Sequence, residues 1–579
     1  MLHAPVLRPA THGRPAPGRD LLAILVVVAV LLVLGTGARD LTGPFALAHP
    51  PAISASPLAL PYYTLRTLLR MLVALAASLL FTLTYATLAA KSRRAEMVLI
   101  PLLDVLQSVP VLGYLSFTVV FFVALFPGRI LGPECAAIFA IFTSQAWNMA
   151  FSFYQALRTI PSDLDEASRS FRDSTWQRFW RLEVPFAMPG LIWNMMMSMS
   201  GGWFFVVASE AISVGHTSFA LPGVGSYVAL AIERRDLAAV GWAIAAMSLA
   251  IVLYDQLLFR PLVAWADKFR FEQTAAAPVP RSWFLQLLRD SRGVRGALAP
   301  LGRALEQAAR APLSGPAPLR RLRARLGARV PARIADALWL GALGCAGVYL
   351  LWLLVHQAQS TLSWSDVQSV ARNGGLTLLR VVVLVALASL LWVPIGVAIG
   401  LRPRLTQWVQ PVAQFLAAFP ANLLFPFTVS AIVSLRLDPR VWLSPLMILG
   451  TQWYILFNVI AGASAFPSDL RQAGASFRVR RVHWWSQIML PGVFPYFVTG
   501  AITASGGAWN ASIVSETVHW GATRLTAGGL GAYIAEHTDA GDFPRIALGV
   551  ACMSVLVIAM NRLLWRPLYR YAERRTRLD

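Results

Sequence analysis

The sequence predicts an all-α polytopic membrane protein made of two parallel six-helix units. That gives about 12 transmembrane helices, related by a pseudo-two-fold axis along the membrane normal. Three observations carry this. First, 57% of the residues are hydrophobic and only 13% are charged, against about 25% charged in a soluble domain. Second, apolar runs of about 18–20 residues recur, enough to cross a hydrocarbon core roughly 30 Å thick. Third, the chain contains itself twice. Pro161-Ser162-Asp163-Leu164 returns as Pro467-Ser468-Asp469-Leu470, an offset of 467 − 161 = 306. The offset holds for Trp203/Trp509, Ser209/Ser515, Glu210/Glu516, Gly223/Gly529, Gly225/Gly531, Tyr227/Tyr533 and Asp236/Asp542. Upstream it becomes 310, as in Arg70/Arg380, Pro101/Pro411 and Pro110/Pro420.

Residues 1–20 carry Arg8, Arg14 and Arg19 and are read as a cytoplasmic N-terminus. The first transmembrane unit is 21–266. Its spans are predicted near 21–38, 65–90, 99–126, 134–158, 186–208 and 239–260. The run at 21–38 lacks a clear small-residue cleavage pattern, which favours an uncleaved span over a removed signal. Residues 267–333 are rich in Ala, Pro and Arg and form a basic cytoplasmic linker. Within it, 281–289 can place Trp283, Phe284, Leu287 and Leu288 on one helical face. The second unit is 334–579, with spans near 335–357, 377–401, 409–434, 441–463, 492–514 and 545–564. An even number of spans starts each copy on the same side, so the repeats are parallel.

Arginine and lysine bias sets the orientation. One set of loops holds Lys91, Arg93, Arg94, Arg158, Arg169, Arg172, Arg402, Arg404, Arg478 and Arg480, with Arg570 to Arg577 in the tail. The opposite set has few, such as Arg129, Arg436 and Arg440. Both termini and both repeated loops therefore face the cytoplasm. The formal charge of +22 belongs to this bias. It does not mark a nucleic-acid partner.

The repeated loop opens with helix-start chemistry. Ser162 and Ser468 are good N-caps, and Asp165 is placed to complete a capping box in the first copy, where Arg471 breaks it in the second. Small residues are then expected to line one face: Ala167 and Ser168, or Ala473, Gly474 and Ala475. A short aromatic segment comes next, with Trp176, Phe179 and Trp180, or Val482, Trp484 and Trp485. It closes at Val184-Pro185 or Leu490-Pro491. The plainer reading of such a loop is an amphipathic helix resting on lipid. Its presence in two equivalent loops argues for a shared job.

Beyond the fifth span of each unit lies Trp203-…-Ser209-Glu210 or Trp509-…-Ser515-Glu516, then a glycine-rich turn. Ionisable groups inside a membrane are expensive and face protein or a pore. Trp203, Glu210, Trp509 and Glu516 are thus candidates for a translocation pathway. The alternative is that the two glutamates sit at the outer boundary and hydrogen-bond the glycine-rich turn. Asp104 has Gln414 as its counterpart and reads as a helix-terminal structural group.

Several functions are argued against. The lysines are Lys91 and Lys268, and neither ends a phosphate-cradling G-x-x-x-x-G-K-[ST] loop. Cys135, Cys345 and Cys552 have no metal-ligand spacing. No HExxH, serine elbow or paired mid-membrane His/Asp set supports a membrane enzyme. Hence no cofactor, metal or catalytic residue is expected. An ATP-independent secondary carrier would be better supported by paired mid-membrane acids than by Asp104 alone.

The loop resembles the coupling loop of bacterial ABC importer permeases, the inner-membrane components of binding-protein-dependent transport. The family pattern is Glu-Ala-Ala, three residues, Gly, about nine residues, then an apolar residue, any residue and Leu-Pro. The spacings Glu166 to Pro185 and Gln472 to Pro491 fit it. The turn containing Gly223 and Gly225 is similar to the nitrate, sulfonate and taurine branch. The resemblance covers both units. It implies two fused half-permeases in a bacterial inner membrane, forming the pathway for a small solute, an anion such as nitrate, sulfonate or taurine. Fused permeases for iron or thiamine are the alternative. It also implies two copies of a separate ATP-binding cassette ATPase, one docked at each loop, and a periplasmic or extracellular binding protein. The implied coupling positions are Glu166, Ala167, Ser168 and Arg172 in one loop, and Gln472, Ala473, Gly474 and Arg478 in the other. Arg172 and Arg478 replace the family's glycine.

Overall fold

The computed structural model describes residues 20–25, 53–214, 217–269, 282–312, 362–466 and 481–576. It adds isolated positions at 35, between 336 and 361, and between 470 and 479. The predicted first span at 21–38 therefore lies largely outside the described residues, and its counterpart at 335–357 is described only in part.

In the first unit, α1 (Leu60–Lys91) ends at Ser92, whose hydroxyl accepts from the Ala95 amide and starts α2 (Arg93–Leu106). Pro110 then breaks the path. The residue before a proline is pushed out of the helical region, and the chain turns by 104° into α3 (Val111–Leu125). The expected straight span 99–126 is thus a bent pair. α4 (Leu131–Arg158) follows, then two short helices of the repeated loop, α5 (Ser162–Ser170) and α6 (Thr175–Arg178). A π turn at Phe179–Glu183 leads into α7 (Val184–Glu210). A hairpin of β1 (Ala211–Val214) and β2 (Thr217–Ala220) pairs Ala211 with Ala220. Then come α8 (Val224–Glu233), α9 (Leu237–Tyr254), a π turn at Asp255–Phe259 and α10 (Arg260–Ala266).

The linker between the units is not featureless. It holds α11 (Trp283–Asp290) and α12 (Arg292–Arg310), capped by Ser282 and Ser291. Trp283 donates to Gln256 at 3.2 Å. The far end of α12 accepts from Trp176 Nε1 at Ala308 O (2.7 Å) and from Gln177 Nε2 at Arg310 O (2.6 Å). It is thereby fastened to the first repeated loop.

The second unit repeats the plan. α13 (Trp364–Gly400) leads to α14 (Pro403–Ala418), which bends by 83° at Pro420 into 421–434, ending in α15 (Phe425–Ser434). The expected straight span 409–434 is therefore bent, like its counterpart. The predicted span 441–463 is also broken, into 439–449 and α16 (Gln452–Ser464), with a 42° bend. After the second loop, a π turn at Trp485–Met489 precedes α17 (Leu490–Ser515). The hairpin β3 (Thr517–Trp520) and β4 (Thr523–Thr526) follows, then α18 (Leu530–Ala540), α19 (Phe543–Met560), a π turn at Asn561–Trp565 and α20 (Arg566–Thr576). Starts from α7 onward recur at 306: 184/490, 211/517, 224/530 and 237/543. Each π turn directly precedes an X-Pro pair, at Pro185, Pro261, Pro491 or Pro567. Proline has no amide to continue the i→i−4 ladder, so the ladder slips by one residue there.

The bent pairs join the halves. Val111, Leu115 and Val119 of α3 lie in the apolar core built mainly from the second unit. Ala418, Leu423, Phe415 and Phe419 lie in the core of the first. Across the seam, the Val111 amide donates to Asn510 Oδ1 at 2.8 Å, and Arg566 pairs with Asp104 at 2.5 Å. Asp104 is thus a helix-terminal group that ties the two units together.

Candidate translocation and docking sites

The repeated loop is built by a helix end. α5 closes as a Schellman motif: Arg172 N donates to Arg169 O (2.9 Å) and Asp173 N to Ser168 O (3.2 Å). Such an end needs a left-handed residue, and Arg172 adopts φ +53°. A non-glycine residue there costs roughly 1–2 kcal/mol. The turn has therefore kept the geometry glycine would favour. In the second copy the equivalent bond, Val479 N to Gly474 O, is present at 2.9 Å. Ala473 and Arg478 lie outside the described residues.

Two expectations need correction. Asp165 does not close a capping box, and the α5 N-cap is Pro161. Asp165 is drawn instead into ion pairs with Arg169 of its own helix (2.7 Å) and with Arg178 (2.6 Å), the second of which ties α5 to α6. The capping box belongs to Ser174 and Gln177 at the start of α6. Nor do the small residues share one face. Ala167 and Glu166 are exposed, whereas Ser168 is buried and bonds Asp173. Gln472 is exposed and Gly474 is buried, where an added Cβ would lie 2.7 Å from Ile488. Phe171 and Phe477, an equivalent pair 306 apart, are 80% and 83% exposed. Sequence reading passed over them, because only the fold shows that neither ring is packed.

The second constellation surrounds Glu210. Its carboxylate accepts from Thr67 Oγ1, Arg70 Nη1 and Gly225 N, each at 2.6 Å. Arg70 also binds Glu134 through Nε (2.6 Å) and Nη2 (2.7 Å), and Arg66 joins Glu134 at 2.5 Å. All these side chains are buried. In the second unit Glu516 accepts from Thr377 (2.8 Å), Arg380 (3.1 Å) and the Ala532 amide (3.1 Å). Glycine is required by contact: a Cβ on Gly225 would lie 2.2 Å from the Val207 carbonyl, and one on Gly223 would lie 2.3 Å from the Glu210 carboxyl carbon. Gly529 adds φ +119°. The glutamates thus clasp the glycine-rich turn against the first long helix of each unit.

The third site is a cavity of about 580 Å³ at the seam, walled mainly by α4, α7, α16 and α17. Trp509 lines it. Trp203, Glu210 and Glu516 do not. Trp203 is instead buried in the first core, edge-on to Tyr254 at 5.5 Å. Wall residues the sequence did not flag include Trp147, Asn148, Trp193 and Thr503. A usable signal was present in α4, where Thr143, Ser144, Trp147 and Asn148 set one polar stripe in an apolar run.

As a class, a duplicated helical chain with membrane-spanning helices, twin loops and a cavity at its seam is a membrane permease with both halves in one polypeptide. The chain belongs to the binding-protein-dependent transport system inner membrane components, whose family model matches residues 82–260 and 392–578, once in each unit. It is similar to the nitrate import permease protein NrtB of Leptolyngbya laminosa, at 22% identity over 32% of this chain and 63% of that protein. It is also similar to the bicarbonate transport system permease protein CmpB of Synechocystis, at 26% over 31% and 60%. A third relative is the glycine betaine/proline betaine transport system permease protein ProW of Escherichia coli, at 30% over 42% and 62%. The chain spans about three fifths of the length of these curated relatives.

Proposed function

We propose that this chain supplies two fused transmembrane permease units of an ATP-driven importer, carrying a small solute of the nitrate, sulfonate and taurine type. It is a multi-pass inner-membrane subunit with both termini in the cytoplasm. It hydrolyses no ATP itself. A separate ATPase supplies the energy, and an external binding protein delivers the solute. The observation that carries this reading is the paired loop. Each copy is stapled by the same 6→1 bond, at Asp173–Ser168 and at Val479–Gly474. Each presents an unpacked phenylalanine, Phe171 or Phe477, and an exposed apolar ring on a rigid turn is what an interface anchor looks like. Glu166 and Gln472 stand exposed on the same helices.

Two loops on one chain provide two docking points, so one permease chain is expected to bind two ATPase subunits. Copurification with the ATPase, followed by native mass measurement, tests this. A stoichiometry of one permease to two ATPases supports it. Two permease chains, each carrying one ATPase, would overturn it.

A further inference from the structure

The seam cavity has an unusual wall. Among the described residues that line it there is no Asp, Glu, Lys, Arg or His. The wall combines amide, hydroxyl and indole groups with apolar side chains such as Phe204, Phe205, Leu446 and Met447. The ionised groups next to it in sequence, Asp104 and Arg566, are paired with each other at 2.5 Å. The charges of the Glu210 and Glu516 clusters are likewise spent on their own partners. Pores that pass bare ions surround them with charge rings or dense carbonyl cages. An unpaired ion in a neutral pocket within a membrane is strongly penalised. Among the described residues that line the cavity, no ring of charged side chains is present.

What the wall does offer is two kinds of partial charge. Trp193 is 46% exposed, with its ring stacked on Phe457 at 6.2 Å, and Trp147 also lines the cavity. Indole faces attract an ammonium group. The Asn148 side chain makes no hydrogen bond among the described residues, so its amide is available to an oxyanion, and Thr503 is exposed on the opposite half. A volume of about 580 Å³ suits an organic solute better than a triatomic or tetra-atomic ion.

Resting on the importer reading above, we infer that the cavity passes a net-neutral zwitterion, a small molecule bearing both an ammonium group and a sulfonate or carboxylate. Monovalent inorganic anions are excluded as cargo. Within the nitrate, sulfonate and taurine group this selects the taurine-like members.

The test uses the full chain reconstituted in proteoliposomes with its ATPase and binding protein. Radiolabelled taurine, glycine betaine, nitrate and bicarbonate are supplied in turn. ATP-dependent uptake of taurine or glycine betaine, without uptake of either anion, is expected. Thr503→Lys and Asn148→Asp each add one charge of opposite sign, and both should lower that uptake at least ten-fold. Copurification of each variant with the ATPase, at the parent stoichiometry, controls for folding and assembly. Uptake of nitrate or bicarbonate overturns the inference, and so does uptake of none of the four by an assembled complex. A sign-dependent result, with lysine tolerated and aspartate blocking or the reverse, overturns it as well. Failure of the importer reading is distinct, because the ATPase would then not assemble with the chain at all.

Discussion

Arg70 Nη1 lies 2.6 Å from Glu210 Oε1 with neither side chain exposed, and the repeat places Arg380 Nη1 3.1 Å from Glu516 Oε1. The two pairs occupy equivalent places but differ in surroundings. Arg70 sits in a network with Glu134 and Arg66. Arg380 is 16% exposed, and it also donates to the carbonyls of Gly528 (2.5 Å) and Ala527 (2.7 Å).

Removing one partner of a buried pair leaves an uncompensated charge, a loss of about 3–5 kcal/mol. Glu210→Ala should reach that range. Glu516→Ala should lose clearly less, because Arg380 keeps two carbonyl acceptors and some water. Thermal unfolding of both variants in the same lipid nanodiscs is the measurement. Equal destabilisation would contradict the difference.

Gly225→Ala should prevent stable folding, because the new Cβ would meet the Val207 backbone carbonyl at 2.2 Å and backbone cannot swing aside. Gly241→Ala, where nothing lies within 4 Å, should match the parent or exceed it slightly. Monodispersity after purification and melting temperature discriminate the two.

Arg172→Gly should relieve left-handed strain, a gain of about 0.5–1 kcal/mol after glycine's greater unfolded-state freedom is set against it. Hydrogen exchange at the Asp173 amide, which bonds Ser168 O, should slow several-fold. Arg172→Ala keeps a Cβ at φ +53° and should show no gain. Slowing in the alanine variant would assign the effect to the lost arginine side chain instead.

The two repeated loops should be unequal in coupling. Glu166 can accept charge-assisted hydrogen bonds from a docked ATPase, worth roughly 1.5–3 kcal/mol, against 0.5–1.5 for the neutral amide of Gln472. Both residues are exposed, so neither substitution disturbs the core. Glu166→Ala should therefore reduce transport-coupled ATP hydrolysis more than Gln472→Ala, with assembly verified separately. A larger loss at Gln472 would refute the asymmetry.

Much of this was legible in the residues, because duplication copies local instructions. Proline, glycine and serine act within a few positions of themselves. The offsets of 306 and 310 thus aligned helix starts and the glycine-rich turns of the two units, whereas the two hairpins emerged only in the fold. The register even paired Arg70 with Arg380. It could not show that Arg70 meets Glu210, which lies 210 − 70 = 140 positions away, since only the packing of α1 on α7 brings them together.

Tertiary structure alone decided three further matters. It bent three expected spans, two at Pro110 and Pro420 and the third at Gly450-Thr451, because a local break in the sequence leaves its angle to the neighbouring helices. It turned Asp165 from a cap into an ion-pair partner, since Arg178 arrives only once α5 folds onto α6. It also sorted the polar residues of the apolar runs into two groups. The glutamates were buried against arginine and backbone amides, and uncharged amides, hydroxyls and indoles were left to line the cavity. Sequence fixes which groups lie within a few residues of one another. Which charge is neutralised, and which wall stays neutral, depends on groups that meet only when distant helices pack.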